Sequence, residues 1–264
     1  MIMIIVRKEV FIDSIKYILF LSIIILVLTV SSANMNYNWQ WYRVPGYIIS
    51  FSSDGSIEPG RLIQGLGITV KISVISLFLA FFVGMITALF RLSTSITAKI
   101  VSRVYLELIR NTPLLIQLFF IYFVVSPVVN ITPFVTAILV LSLFEGAYAS
   151  EIIRGGINAI PKGQWESSYS LGLSSLDTYR YIILPQTFKQ ILPPLTGQAV
   201  SLIKDSALVS TIAIFDLTMA GQAIISETFL TFEIWFTVAV IYLIMTVSIS
   251  SFVHYLEKRN SYAQ

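Results

Sequence analysis

Polar side chains that could carry chemistry interrupt several of the apolar stretches of this sequence. A charged side chain at the centre of a lipid bilayer costs about 2.5–3.5 kcal/mol, so such residues usually line a water-filled cavity, pair with one another or lie at the ends of spans. They mark candidate positions along a solute pathway. The candidates are Asn111, Glu145, Glu151, Lys204, Asp205 and Ser206, with Arg110 beside the first of them.

Two interpretations of these residues stay open. A solute that carries both a carboxylate and an ammonium needs hydrogen-bond donors and acceptors, and the amide of Asn111 offers both. Asp205 or Glu145 could meet the ammonium. Alternatively, the charges tie helices together or lie near span ends, as the positions of Glu151 and Arg110 allow. Lys204 and Asp205 are adjacent, so on a helix they point about 100° apart and cannot face one way.

Covalent catalysis is a poor match to the sequence. It contains no cysteine and one histidine, His254, close to the C-terminus. Thiolate metal sites are therefore excluded, and neither a GxSxG nor an HExxH motif occurs. The sequence also contains no Gly-Lys pair, so it cannot form a phosphate-binding P-loop of its own. We expect no catalytic residues, no metal site and no cofactor bound by this chain.

The composition indicates a membrane protein. Of the 264 residues, 56% are hydrophobic and only 12% are charged, and the mean hydropathy is +0.83. Soluble domains carry about 25% charged residues. A spanning helix needs about 20 mostly apolar residues, and six windows meet this length. We predict an all-α protein with spans at roughly 12–32, 64–90, 104–129, 132–153, 190–214 and 232–255.

The distribution of basic residues predicts the orientation. With both termini in the cytoplasm, the inner segments hold twelve lysines and arginines and the outer segments hold two, Arg43 and Arg61. This is the asymmetry expected from the positive-inside rule. It also explains the pI of about 9.0 without a nucleic-acid partner. The N-terminal apolar segment could instead be a signal peptide cleaved near Ala33, which would leave five spans.

A polar stretch at 163–186 stands out from this apolar background, inside a predicted inner loop of about 154–189. Pro161 suits the first turn of a helix, and Gly172 suits a left-handed C-cap. Ser174 or Ser175 can cap a second helix that should end before Pro185. The first helix is too polar for lipid and too short to be stable alone, so it needs a protein partner or the membrane surface to rest on.

The spacing of this stretch resembles the cytoplasmic motif of binding-protein-dependent ABC transporter permeases. That motif begins Glu-Ala-Ala, has glycine at its seventh position and closes with Ile-x-Leu-Pro. Here serines replace both alanines. The resemblance implies a coupling helix that docks on a separate ATPase subunit. The residues to which it assigns coupling are Gly163, Trp165, Glu166, Ser167, Ser168, Gly172, Ile182, Leu184 and Pro185.

Further motifs are similar to the polar amino acid uptake branch of that family. They are LIRNTPLL at 108–115, EGAY at 145–148, RGGI at 154–157, LPPL at 192–195 and KDSAL at 204–208. The resemblance implies a permease of the bacterial inner membrane, with an N-terminal helix and loop at 1–62 and a permease domain at 63–258. It implies as partners an ABC ATPase dimer that uses ATP and Mg, a second permease subunit, an extracytoplasmic amino acid-binding protein and the lipid bilayer.

Two other classes of protein remain as alternatives. An autonomous ion-coupled secondary transporter would use the intramembrane acids as ion sites, but it predicts inverted repeats with paired broken helices, and the sequence shows no internal repeat. It also leaves the polar stretch unexplained. A membrane enzyme needs a nucleophile and a base, and the residues above do not supply them.

Overall fold

The computed structural model describes residues 16–23, 26, 29, 37–51 and 55–261, without the side chains of 254 and 256–261. The chain divides into two compact units, 1–41 and 42–264. In the first unit, residues 16–23 are helical, and most of the rest of the predicted span at 12–32 lies outside the described residues. The segment that follows is rich in tryptophan and tyrosine, which predicts an aromatic belt at the membrane interface. The rings of Trp39 and Trp41 in it stack with their centroids 6.0 Å apart.

Short elements precede the first long helix of the second unit. A two-stranded antiparallel sheet pairs β1 (Ile49–Phe51) with β2 (Ile57–Pro59), and Phe51 lies opposite Ile57 in its register. Gly60 follows the sheet and leads directly into the long helix. The short elements are the 3-10 turn Trp41–Arg43, the helix α1 (Pro45–Ile48), the strand β1 (Ile49–Phe51) and the strand β2 (Ile57–Pro59).

The rest of the described chain is helical. The helix α4 (Leu114–Val129) contains a π-helical stretch. The helix α7 (Ser175–Ile212) joins a first turn, a π-helical stretch, a long α-helix and a final 3-10 stretch. The helices are α2 (Arg61–Leu92), α3 (Ile96–Arg110), α4 (Leu114–Val129), α5 (Pro133–Asn158), α6 (Lys162–Ser170), α7 (Ser175–Ile212), α8 (Leu217–Thr228) and α9 (Thr231–Ser261).

Three of these helices are long and apolar enough to cross a membrane by themselves. They are α2, α5 and the part of α9 at Thr231–Val253, in agreement with the predicted spans at 64–90, 132–153 and 232–255. Two bent pairs, α3 with α4 and α7 with α8, raise the possible number to five. The helix α8 was not predicted, because its twelve residues are fewer than a span requires.

The predicted span at 104–129 is wrong as a single straight helix. The axes of α3 and α4 meet at 104°, and the bend falls at residues 111–113. Pro113 has no N–H to continue the helical hydrogen bonds. Polar side chains satisfy the carbonyl oxygens that the bend frees: Thr112 donates to Leu108 at 2.8 Å, and Gln117 donates to Ile109 at 2.7 Å. These local bonds make a sharp bend compatible with an apolar environment.

Small residues set the packing between α2 and α5. A Cβ atom on Gly84 would lie 2.8 Å from the Cβ of Ala149 and 3.1 Å from the carbonyl oxygen of Gly146. A Cβ on Gly146 would lie 2.8 Å from the side chain of Val83. A glycine inside an apolar helix, such as Gly84, predicts a close-packing site, and these distances confirm it. Such contacts bring two helix backbones close together, which is a common way of packing helices within lipid.

The sequence predicts that the prolines of α7 end or break helices, but in the structure the helix continues through them. The second helix of the polar stretch should end before Pro185, but helical structure continues through this residue, which lies in the first turn after the π-helical stretch Thr178–Ile183. A missing N–H is tolerated in a first turn. Two adjacent prolines predict a break or kink in a helix, yet Pro193 and Pro194 lie inside the helix Leu184–Asp205. Both rings lie at exposed positions, so they need no room inside the bundle.

Candidate functional site

The polar stretch forms the short helix α6, whose outer surface is exposed. Pro161 lies one residue before the helix, at its N-cap, rather than within its first turn. Glu166, Ser167 and Tyr169 are exposed, and Tyr169 is 48% accessible. A nine-residue polar helix gains little stability from its own hydrogen bonds. The surrounding contacts must therefore hold it in place.

A Schellman motif ends α6 at Gly172. The N–H of Gly172 donates to Tyr169 at 3.0 Å, and the N–H of Leu173 donates to Ser168 at 3.1 Å. Gly172 has φ of +78°, and beyond its two neighbouring residues no described atom lies within 4 Å of the position its Cβ would take. The predicted left-handed cap is confirmed. Within this chain the glycine is needed for its backbone conformation, and the space beside it is open.

The next helix begins at Ser174. The Ser174 hydroxyl oxygen accepts from the N–H of Asp177 at 3.2 Å, and the hydroxyl group lies 2.6 Å from the Asp177 carboxylate. This confirms Ser174 as one of the two predicted caps. From there α7 runs without a break into the apolar bundle. The polar stretch is thus joined to the bundle by continuous helix on its C-terminal side.

An apolar cluster fixes α6 to the ends of the bundle helices. The ring of Trp165 packs edge-on against Tyr179 with the centroids 5.0 Å apart. Both rings pack on a buried cluster in which Ala88 of α2 and Ile183 of α7 are fully buried. The other buried members of the cluster are Ile153, Ile157, Ile160 and Ile191. Movement of α6 must therefore carry the ends of α2, α5 and α7 with it.

The predicted coupling residues divide into exposed and inward-facing groups. Trp165 and Ile182 pack on the cluster, and Ser168 is buried, with its hydroxyl donating to backbone carbonyl groups of its own helix. Only Ser167 of the two serines keeps an exposed hydroxyl. The exposed members are Gly163, Glu166, Ser167, Gly172, Leu184 and Pro185.

A second polar site lies inside the bundle around Glu145. This residue of α5 is 1% exposed, and its Oε2 accepts a hydrogen bond from the amide of Gln198 on α7. Its Oε1 has no hydrogen-bond partner among the described residues. The carboxyl group of Asp205 lies close enough to interact with that of Glu145. Two neighbouring carboxylates in an apolar environment repel each other, so the site favours a cation.

Gln198 was not predicted from the sequence, and its amide donates to the carboxylate of Glu145 beside the neighbouring carboxyl group of Asp205. An amide within an apolar stretch was the available signal. Lys204 points away, at an exposed position, while Asp205 is half-buried, so the predicted divergence of this pair is observed. The Ser206 hydroxyl is buried and donates to the backbone carbonyl of Ile203 at 2.7 Å.

The other two pathway candidates are engaged elsewhere. Oε1 of Glu151 accepts from Arg91 and from Arg110, and Oε2 accepts from Arg154 at 2.9 Å. The Asn111 amide donates to the backbone carbonyl of Glu107 at 2.8 Å and to its carboxylate at 2.7 Å. Glu151 therefore ties α2 and α3 to α5, as the alternative interpretation expects.

We expect Glu151→Gln to lower the thermal stability of the protein. The substitution leaves three arginine side chains close together without the carboxylate that they share. For these half-exposed groups the loss should be about 1–3 kcal/mol. The measurement is the unfolding midpoint of the purified protein in detergent. Glu107→Gln is the matched control, because Glu107 is exposed and bonds only to Asn111 among the contacts described. Equal shifts in the two variants would contradict the bridging role.

Comparison with known proteins places this geometry among transport proteins. The family described as binding-protein-dependent transport system inner membrane component matches residues 80–262. The glutamine transport system permease protein of Escherichia coli (strain K12) is 40% identical over 201 residues, which cover 75% of this chain and 92% of the relative. The L-cystine transport system permease protein of Bacillus subtilis (strain 168) is 39% identical over 198 residues, 74% of this chain and 84% of the relative.

Solved structures show the same architecture. An amino acid ABC transporter determined with histidines matches with a TM-score of 0.71 at 36% identity, over 75% of this chain and 94% of that chain. An inward-facing methionine ABC transporter matches with a TM-score of 0.66, over 75% of this chain and 95% of that chain. At 18% identity the second match shows the fold alone.

Proposed function

Because this chain belongs to the family of binding-protein-dependent transport system inner membrane components, we propose that it forms the membrane pathway of an ATP-driven importer of polar amino acids. The observation that carries the proposal is the short helix α6, which has an exposed polar surface and whose apolar side packs against three bundle helices. A helix held in this way can transmit the movement of a separate ATPase subunit to the bundle. The relatives that carry glutamine and cystine support the substrate class.

The proposed mechanism is alternating access without covalent chemistry in this chain. ATP binding closes a pair of ATPase subunits, the coupling helices of two permease subunits move with them, and the bundles turn from inward-facing to outward-facing. ATP hydrolysis, with Mg, resets the assembly. An extracytoplasmic binding protein delivers the amino acid. The exposed carboxylate of Glu166 is suited to meet basic or amide groups on the ATPase.

The proposed orientation has the termini and α6 on the cytoplasmic side of the inner membrane. The cluster that holds α6 contains Ala88 from the C-terminal end of α2. The opposite end of α2 carries Arg61, which pairs with Glu227 of α8 at 2.5 Å. The two ends of the bundle are therefore distinct, and the excess of basic residues at the end that holds α6 supports a cytoplasmic location.

Glu145 and Asp205 are the proposed contacts of the transported amino acid within the membrane. Their two neighbouring carboxyl groups lack a cation in the described chain, and an α-ammonium group would supply one. Gln198 would orient Glu145 by its hydrogen bond. Because Glu145 is buried, the amino acid can reach it only when α5 and α7 separate during the transport cycle.

Copurification and reconstituted transport test the proposed function. The full chain should purify with an ATPase subunit, and liposomes holding the complex should take up an amino acid only with ATP inside and binding protein outside. Competition among acidic, amide and basic amino acids then identifies the substrate. Uptake by this chain alone in ATP-free liposomes would overturn the proposal in favour of a secondary transporter.

A further inference from the structure

A basic cavity outside the polar site at Glu145 has no role in the transport cycle proposed above. It has a volume of about 720 Å³ and lies between the C-terminal end of α2, the charged side of α3 and part of α5. Among its charged lining residues, cations outnumber anions by four to two. The charged and polar lining residues are Arg91, Lys99, Arg103, Arg110, Glu107, Glu151, Asn111 and Tyr148.

The two acids of this basic cavity are already engaged, which leaves the cations an excess of unused donors. Glu151 binds arginines, and Glu107 accepts from the amide of Asn111. Neither Lys99 nor Arg103 forms a salt bridge with any residue in the described part of the chain. Five guanidinium N–H groups on each arginine and three on each lysine exceed what the two carboxylates can accept. The basic cavity is therefore chemically suited to an anion with several oxygen atoms.

An exposed apolar stripe runs along α3 beside the basic cavity. Ile96, Ile100, Val104 and Leu108 recur every fourth residue, and their side chains are 75%, 57%, 52% and 63% exposed. On a helix this spacing places all four on one face. Ile96 and Ile100 also line the basic cavity. A ligand that combines an anionic group with a long apolar portion would contact both features.

The angle between α3 and α4 places this stripe at a membrane surface. With a rise of 1.5 Å per residue, α4 is about 24 Å long, enough to cross most of a hydrocarbon core. Since α3 meets α4 at 104°, α3 runs close to the membrane plane when α4 crosses it. A helix that lies in this plane with lysine and arginine on one side and apolar residues on another is typical of an interfacial helix.

We propose that the basic cavity binds the phosphate group of an anionic phospholipid from the cytoplasmic leaflet, with the acyl chains along the apolar stripe of α3. The location in that leaflet rests on the orientation in the proposed function. Clustered basic residues on an interfacial helix attract anionic headgroups electrostatically. A free phosphate ion shares the headgroup chemistry, but it would leave the apolar stripe without a role.

The test measures lipids that stay bound to the full chain, purified with whatever subunits accompany it. Native mass spectrometry follows exchange from nanodiscs that contain phosphatidylcholine and phosphatidylglycerol. We expect the wild type to retain phosphatidylglycerol in preference to phosphatidylcholine. Lys99→Gln with Arg103→Gln should reduce this retention about tenfold or more. The charge-conserving pair Lys99→Arg with Arg103→Lys should preserve it.

Arg180→Gln with Lys189→Gln is the matched control. Both residues are exposed and lie within the predicted inner loop of about 154–189, and neither lines the basic cavity. Unchanged retention in this control, with similar unfolding midpoints for all variants, would support the inference. Equal retention by wild type and cavity variant would overturn it. Displacement of the lipid by inorganic phosphate would indicate a soluble anion, and displacement by an amino acid would assign the cavity to the transport pathway. Retention is measured without ATP or uptake, so it can fail while the transport proposal holds.

Discussion

Replacement of Gly172 by aspartate should reduce ATP-driven uptake by at least about tenfold while the protein still inserts in the membrane. The glycine has φ of +78° and open space around its missing Cβ. An aspartate there costs about 1 kcal/mol in backbone strain, and its Cβ would meet no atom beyond the two neighbouring residues. Its carboxylate would instead enter the space that the proposed ATPase contact occupies, where an unpaired charge is costly. The measurement is uptake per amount of protein in the membrane.

Two controls separate this effect from backbone strain. Gly172→Asn has a similar size and tolerates the left-handed conformation without a charge, so its loss of uptake should be smaller. Gly55→Asp places the same side chain at another left-handed glycine, with φ of +83° and open space, in the turn between β1 and β2. This variant should transport nearly as well as wild type. Unchanged uptake in Gly172→Asp would contradict the coupling role of α6.

Asp205→Asn should reduce uptake about tenfold, or change the preferred amino acid, with little change in membrane abundance. The asparagine removes the repulsion between the carboxyl groups of Asp205 and Glu145, so the folded chain loses no attractive charge pair. It also removes half of the negative charge that would hold an ammonium group. The measurements are uptake of several amino acids and immunoblot quantity of the protein in membranes.

Neighbouring variants sharpen this second test. Glu145→Gln should lower uptake to a similar extent, because it removes the other carboxylate. The fold should persist, since an amide oxygen at position 145 can still accept the hydrogen bond from Gln198. Lys204→Gln is the control, since Lys204 is adjacent to Asp205 but exposed. If Asp205→Asn lost abundance and uptake in equal measure, the carboxylate would serve folding rather than the amino acid pathway.

Local features of the polar stretch could be predicted from the sequence because neighbouring residues control them. The left-handed conformation at Gly172 and the cap at Ser174 depend on hydrogen bonds within three to five residues. Continuation of the helix through Pro185 could not be predicted in this way. It depends on the π-helical stretch before the proline and on the burial of Ile183, which the sequence does not reveal.

The intramembrane site was only partly predictable. The cost of placing charge in lipid identified Glu145 and Asp205 as functional candidates. The same argument selected Asn111 and Glu151, whose polar groups are engaged in side-chain contacts at the end of α3. A hydropathy pattern shows which residues are unusual in lipid, but it cannot show which of them meet.

The sequence by itself determined the class of protein, the principal spans and the polar helix α6, because each follows from apolar length, turn chemistry or motif spacing along the chain. Only the tertiary structure decided that Gln198 contacts Glu145, that Glu151 joins three arginines and that α3 turns by 104° from α4. Side-chain pairs such as Gln198 with Glu145 are separated by 53 positions. Which of them form is set by how α2, α5 and α7 pack, and that packing depends on close contacts at residues such as Gly84 rather than on any local pattern.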